Sequence, residues 1–133
     1  MAASPARSIR ALDILLPAGQ TNCVPIVLGG EGGETAITLS VCFDTNLLSS
    51  VSVQRGSDAG DASLSVNTIQ ASRGRVGVSL MRSDGATFPA GDKVLVEVCF
   101  RSTTANGIVT TPVAICETPV GRDILDADRK SVV

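Results

Sequence analysis

Apolar and polar positions alternate along this chain in short runs, separated by Gly, Asp, Asn and Ser. That is the pattern of strands with one face buried and one wet. Eight strands are predicted: Ile9–Leu16, Cys23–Leu28, Ala36–Phe43, Leu48–Arg55, Ser63–Asn67, Arg75–Met81, Lys93–Arg101 and Thr111–Glu117. Pro17-Ala18-Gly19, the glycine-rich Gly29–Gly33, Asp44-Thr45-Asn46, Gly56 and Ser83-Asp84-Gly85 supply the breaks. The tail reads as a small hairpin, Arg122–Leu125 against Lys130–Val133, around Asp126–Arg129. No stretch holds a 3.6-residue period for two turns, so no helix is predicted. Strands recurring about every 8–12 residues imply an all-β sandwich or barrel. The chain shows no internal repeat and no linker; the expected organisation is an N-terminal arm over residues 1–10 and one sandwich domain over 11–133.

Against this pattern the four cysteines share one property. If Val24/Ile26/Leu28, Val41/Phe43, Val96/Val98/Phe100 and Val113/Ile115 point inward, then Cys23, Cys42, Cys99 and Cys116 all point outward, because successive strand side chains face opposite sides. Outward sulfurs suit cross-strand disulfides on the skin of a sandwich and do not suit a zinc site or a catalytic thiol. An even count without C-x-x-C spacing points the same way, to an oxidising compartment, outside the cell or on its surface. The opening Met-Ala-Ala-Ser-Pro-Ala-Arg lacks the basic-then-apolar order of a signal peptide.

Composition narrows the chemistry. Hydrophobic residues make up 44% of the 133 positions, yet only Phe43, Phe88 and Phe100 are aromatic, so the core is expected to be aliphatic. There is no histidine, which removes Ser-His-Asp and Cys-His nucleophilic sites and the common zinc-hydrolase sites. Net charge is −2 without a basic cluster, and Trp and Tyr are absent; a nucleic-acid partner is not expected. No apolar run approaches the roughly 18 residues of a membrane span. The 13 carboxylates are scattered without an identifiable catalytic pair, and no enzyme activity is expected. Asp126-Ala127-Asp128 lacks the remaining ligands of an EF-hand loop and reads as a turn. Asp58-Ala59-Gly60-Asp61 has the ligands for a surface calcium, but a solvated loop is the favoured reading. Gly29–Gly33 lacks the Lys-Ser/Thr sequel of a phosphate loop. No cofactor or metal is expected.

Several phrases, in order, resemble a known family. Gly19-Gln20-Thr21 precedes Val24-Pro25-Ile26-Val27-Leu28; Leu39-Ser40-Val41-Cys42-Phe43-Asp44 is followed by Leu47-Leu48 and Val51–Val53. Leu64-Ser65-Val66-Asn67, Gly74-Arg75-Val76-Gly77-Val78 and Thr87-Phe88-Pro89-Ala90-Gly91 leading into Val94–Phe100 complete the series. From about Gly19 to Val120 the chain is similar to cohesin domains, the cohesin-like modules of bacterial extracellular proteins. The resemblance implies a nine-stranded jelly-roll sandwich with sheets ordered 8-3-6-5 and 9-1-2-7-4. In cellulosomal members the 8-3-6-5 face binds a calcium-loaded dockerin, and the fold is shared with some carbohydrate-binding modules.

Carried onto this chain, that strand order implies two disulfides, Cys23–Cys99 and Cys42–Cys116, one in each sheet. It places Thr38, Ser40, Ser65, Asn67, Arg75 and Ser79 on the outer, partner-binding face. Asp44 matches the family's aromatic-Asp phrase and is read as capping the turn at Thr45–Leu47. One departure stands out: after the eighth strand no final alternating strand follows the hairpin, so the ninth strand is expected to be absent, unless Lys130–Val133 supplies it. Strand one, with Ile9, Leu12, Ile14 and Leu16, then becomes an open edge for a neighbour's strand. Three functions follow as expectations: a non-enzymatic extracellular interaction module binding a dockerin-like protein, a filament subunit polymerising with copies of itself by strand exchange, and a carbohydrate-binding module. The last is weakened by the lack of Trp and Tyr for stacking on sugar rings.

Overall fold

The computed structural model describes residues 8–12, 16–17, 19–83, 86–102, 108–109, 113–118, 120–126, 128 and 130–132. Its strands are β1 (Ser8–Ala11), β2 (Leu16–Pro17), β3 (Thr21–Gly30), β4 (Glu34–Cys42), β5 (Leu48–Arg55), β6 (Ser63–Asn67), β7 (Arg75–Met81), β8 (Gly91–Ser102), β9 (Ile108–Val109), β10 (Ala114–Cys116) and β11 (Asp123–Asp126). One sheet runs β1-β3-β8-β5 and the other β10-β4-β7-β6, with β11 also on β4; β2 and β9 form a separate two-stranded ladder. All pairs are antiparallel. These orders are the implied 8-3-6-5 and the 1-2-7-4 part of the other sheet.

Between the sheets lie the inward phases of the strands. Val24, Ile26 and Leu28 of β3 meet Ile37, Leu39 and Val41 of β4; Val76, Val78 and Leu80 of β7 face Val96, Val98 and Phe100 of β8, all buried. The core is aliphatic as expected, and all three phenylalanines join it. Phe43 and Phe100 pack edge to face with centroids 4.9 Å apart, and Phe88 lies under the Arg82 guanidinium. Between Ile26 and Val27 the ladder skips Leu95 of β8, and this β-bulge is how the adjacent Leu95 and Val96 both join the core.

The first predicted strand is not continuous. β1 stops at Ala11, and the cause is on its neighbour: Leu12 still donates its N–H to the Pro25 carbonyl at 3.0 Å, but Pro25 has no N–H to return. The ladder ends there and Leu12 is 38% exposed. Ile14 lies outside the described residues. Leu16 pairs with Val109 in the small ladder rather than continuing β1.

The tail hairpin forms, through an Asp126 N–H to Lys130 carbonyl bond, a Val132 N–H to Ile124 carbonyl bond and a Leu125–Ser131 bridge. Lys130–Val132 therefore extends the sheet beside β11 and does not pair with β1, correcting the alternative in which it supplies the ninth strand. β11 itself pairs with β4 over Glu34–Thr38, end to end with β10, which pairs over Ser40–Cys42. Among the described residues, β1 has β3 as its one ladder neighbour.

Candidate interaction face

Because Ile37, Leu39 and Val41 turn inward on β4, and Val76, Val78 and Leu80 on β7, the residues between them form the outer surface of this sheet. The register sets them in rows: Ala36–Met81–Ser63, Thr38–Ser79–Ser65, Ser40–Gly77–Asn67 and Cys42–Arg75. All six residues expected on the face therefore lie on one side of one sheet.

They are not equally available. The segment between β10 and β11 folds back over β4. The Ser40 hydroxyl donates to the Val120 carbonyl at 2.6 Å and accepts from the Val120 N–H at 2.8 Å, and Ser40 is 0% exposed. Thr38 Oγ1 donates to the Gly121 carbonyl at 2.8 Å and Arg75 Nη1 to Thr118 Oγ1 at 3.2 Å. Within the segment, the Arg122 N–H donates to Glu117 Oε2 at 2.6 Å. Ser40 is thus lost to the open face, a correction to the sequence reading, and Thr38 and Arg75 hold the segment down. The open strip runs along β7 and β6: Ser79, Ser65 and Asn67, with Met81 39% exposed at one end. The Asn67 carboxamide oxygen accepts from the Ile69 N–H at 3.0 Å, and Ile69 is 85% exposed beside it. Met81 and Ile69 escaped the sequence reading. The outward phase at the end of β7, and one large apolar residue in a polar turn, were the signals for them.

Cys23 is bonded to Cys99, its direct cross-strand partner, and Cys42 to Cys116, one step diagonal across the β4–β10 ladder. Cys99 is 3% exposed although its phase is outward, since β3 and β5 flank it on both sides.

The candidate chemistry elsewhere is engaged in turns. Asp58 Oδ2 accepts from the Val94 N–H at 2.8 Å and Asp61 pairs with Arg82 at 3.4 Å. Asp126 Oδ1 accepts from Asp128 and Lys130 N–H groups, closing the hairpin. Asp44 Oδ1 accepts from the Asn46 N–H at 2.8 Å, a turn cap. Glu34, one of the scattered carboxylates, is fully buried and accepts from the Glu31 and Gly32 N–H groups, each at 3.1 Å. Among the described residues no three His, Cys, Asp or Glu side chains are grouped to hold a metal. With Phe43, Phe88 and Phe100 all buried, they offer no aromatic platform for a sugar. Of the residues expected on the assembly edge, Ile9 is buried in the core and Leu12 is partly exposed.

No protein-family model matches the chain. A stretch of 110 residues, 80% of the chain, is 34% identical to cellulose-binding protein A of Clostridium cellulovorans; the chain spans 6% of that protein's length. The structure is similar to a non-cellulosomal cohesin from the archaeon Archaeoglobus fulgidus, with TM-score 0.72, 22% identity, and coverage of 97% of this chain and 84% of that one. It is similar to the sixth cohesin of Acetivibrio cellulolyticus scaffoldin B, solved with a Cel5 dockerin, with TM-score 0.73, 18% identity and coverage of 97% and 92%. The cohesin of a type I cohesin–dockerin complex from Clostridium thermocellum gives TM-score 0.73, 15% identity and the same coverage, 97% and 92%.

Proposed function

Starting from the cohesin fold of this chain, we propose that it is a non-enzymatic protein-interaction module that binds a dockerin-type partner outside the cell. The observation that carries this reading is the fold match at TM-score 0.73 to two cohesins solved in complex with dockerins. The open β6–β7 strip supports it, as a floor of small side chains that another backbone can approach closely. Two disulfides support the oxidising location. The test is calorimetric titration of the chain with a panel of calcium-loaded dockerin modules. Binding is expected, and Ser79→Arg, which raises a long side chain from the middle of the strip, is expected to weaken it by at least about tenfold. Its unfolding free energy should stay within about 0.5 kcal/mol of wild type, as for most surface changes. Absence of binding across the panel overturns the reading.

One observation favours a second reading, assembly by strand exchange. Because Leu12 bonds toward β3, the alternate N–H groups of β1, those of Ile9 and Ala11, point to its outer edge. A strand from another copy can pair there. Ala11→Pro removes one edge donor without touching the β1–β3 ladder. Filaments seen by negative stain in wild type and lost in Ala11→Pro are the expected result on this reading. A wild-type chain that stays monomeric at millimolar concentration ends it.

A further inference from the structure

The segment that follows Cys116 is more than a connection. While β4 advances two positions, from Ser40 to Thr38, its partner advances seven, from Cys116 to Asp123, so five residues are extra. Of these, Thr118, Val120 and Gly121 are bonded to Arg75, Ser40 and Thr38 on the outer sheet face. One end is fixed by the Cys42–Cys116 disulfide and the other by the Asp123–Thr38 register. In between, one buried hydroxyl satisfies both backbone groups of Val120. A serine with no exposed surface in an outward strand position is otherwise unexpected, because the outward side of a sheet at a wet face is where a hydroxyl finds water.

We propose that this bulged segment is the selectivity-determining rim of the interaction face, and that Ser40 is its positioning residue. The inference rests on the dockerin-binding reading. It adds that the partner is held against the β6–β7 strip on one side and against the crest at Thr118, Gly121 and Arg122 on the other. The crest carries the Glu117–Arg122 ion pair, at 3.7 Å and half exposed, with Arg75 bonded to Thr118 beside it, whereas Ser79, Ser65 and Asn67 are neutral and small, flanked by the exposed apolar Met81 and Ile69. The rim therefore has the charged groups that tell one partner from another. Fixing it in advance avoids ordering a loop at the moment of binding.

The test uses the whole chain and the dockerin module that binds it best. Ser40→Ala is expected to speed hydrogen exchange at the Val120 amide by about tenfold or more, the loss of roughly one buried hydrogen bond. It is also expected to weaken the dockerin by about tenfold and to narrow the affinity gap between the best and second-best modules. Thr38→Val, at the face and without effect on the core, removes the bond to Gly121 and is expected to weaken binding about threefold with the midpoint of unfolding unchanged; it serves if Ser40→Ala does not fold. Protection of Val120 retained in Ser40→Ala overturns the positioning role. Unchanged affinity and ranking in a variant whose segment has been released overturn the rim. A wild-type chain that binds no dockerin fails at the earlier step and is told apart by that control alone.

Discussion

Cys23→Ser combined with Cys99→Ser is expected to lower the unfolding midpoint by roughly 10–15 °C, and Cys42→Ser with Cys116→Ser by a similar amount. The bonds close loops of nearly equal length, with separations of 76 and 74 residues. In the chain-entropy account each restricts the unfolded chain by about 4–5 kcal/mol, and measured losses run about 2–5 kcal/mol. For a domain of this size a kcal/mol corresponds to about 3–4 °C. The two double variants should nevertheless differ in kind. Cys23–Cys99 joins β3 and β8, the longest ladder of the sandwich, so its loss acts on global stability alone. Cys42–Cys116 holds the three-residue β10 and the start of the rim. Its loss should also release the Val120 amide to exchange and weaken partner binding. Scanning calorimetry with site-resolved exchange separates the cases; midpoints within 3 °C of wild type for both variants would remove the stabilising role.

Glu34→Ala is expected to cost roughly 2–4 kcal/mol, read as a shift in the urea midpoint. The side chain is wholly buried and receives the N–H groups of Glu31 and Gly32. These belong to the turn in which Gly32 and Gly33 hold φ of 89° and 85°, a left-handed conformation that glycine adopts without strain. Its backbone carbonyl also accepts the Phe88 N–H at 2.7 Å. Truncation leaves two part-buried amides facing the space the carboxylate filled, each costing toward the lower end of the roughly 1–3 kcal/mol of a fully buried donor without a partner. Glu34→Gln keeps an acceptor and should lose about half as much. Gly30→Ala is expected to act in the same direction, because a Cβ there would stand 2.6 Å from the Glu34 carboxylate. An Ala variant within 0.5 kcal/mol of wild type would show that water replaces the carboxylate and that the turn does not depend on it.

Most of the ladder was legible in the chain because its causes are local. Leu48–Arg55, Ser63–Asn67 and Arg75–Met81 keep their predicted bounds, since each is an alternating run between residues that favour turns. The errors share a different cause. The end of β1 at Ala11 depends on Pro25, a residue on another strand that has no N–H to donate. Ser40 reads as an ordinary wet-face serine until the chain 80 positions later returns to cover it. Glu34 reads as one more surface carboxylate because the turn it caps, and the Phe88 amide bound to its carbonyl, come together only in the closed sandwich.

The amino-acid sequence alone determined an all-β chain with an aliphatic core, outward cysteines and no histidine chemistry, because period, composition and phase are properties of neighbouring residues. Tertiary structure decided which half of the outer face stays open. That outcome rests on a five-residue register slip between β10 and β11 and on one buried hydroxyl, and both exist only when segments distant in sequence share an edge of β4.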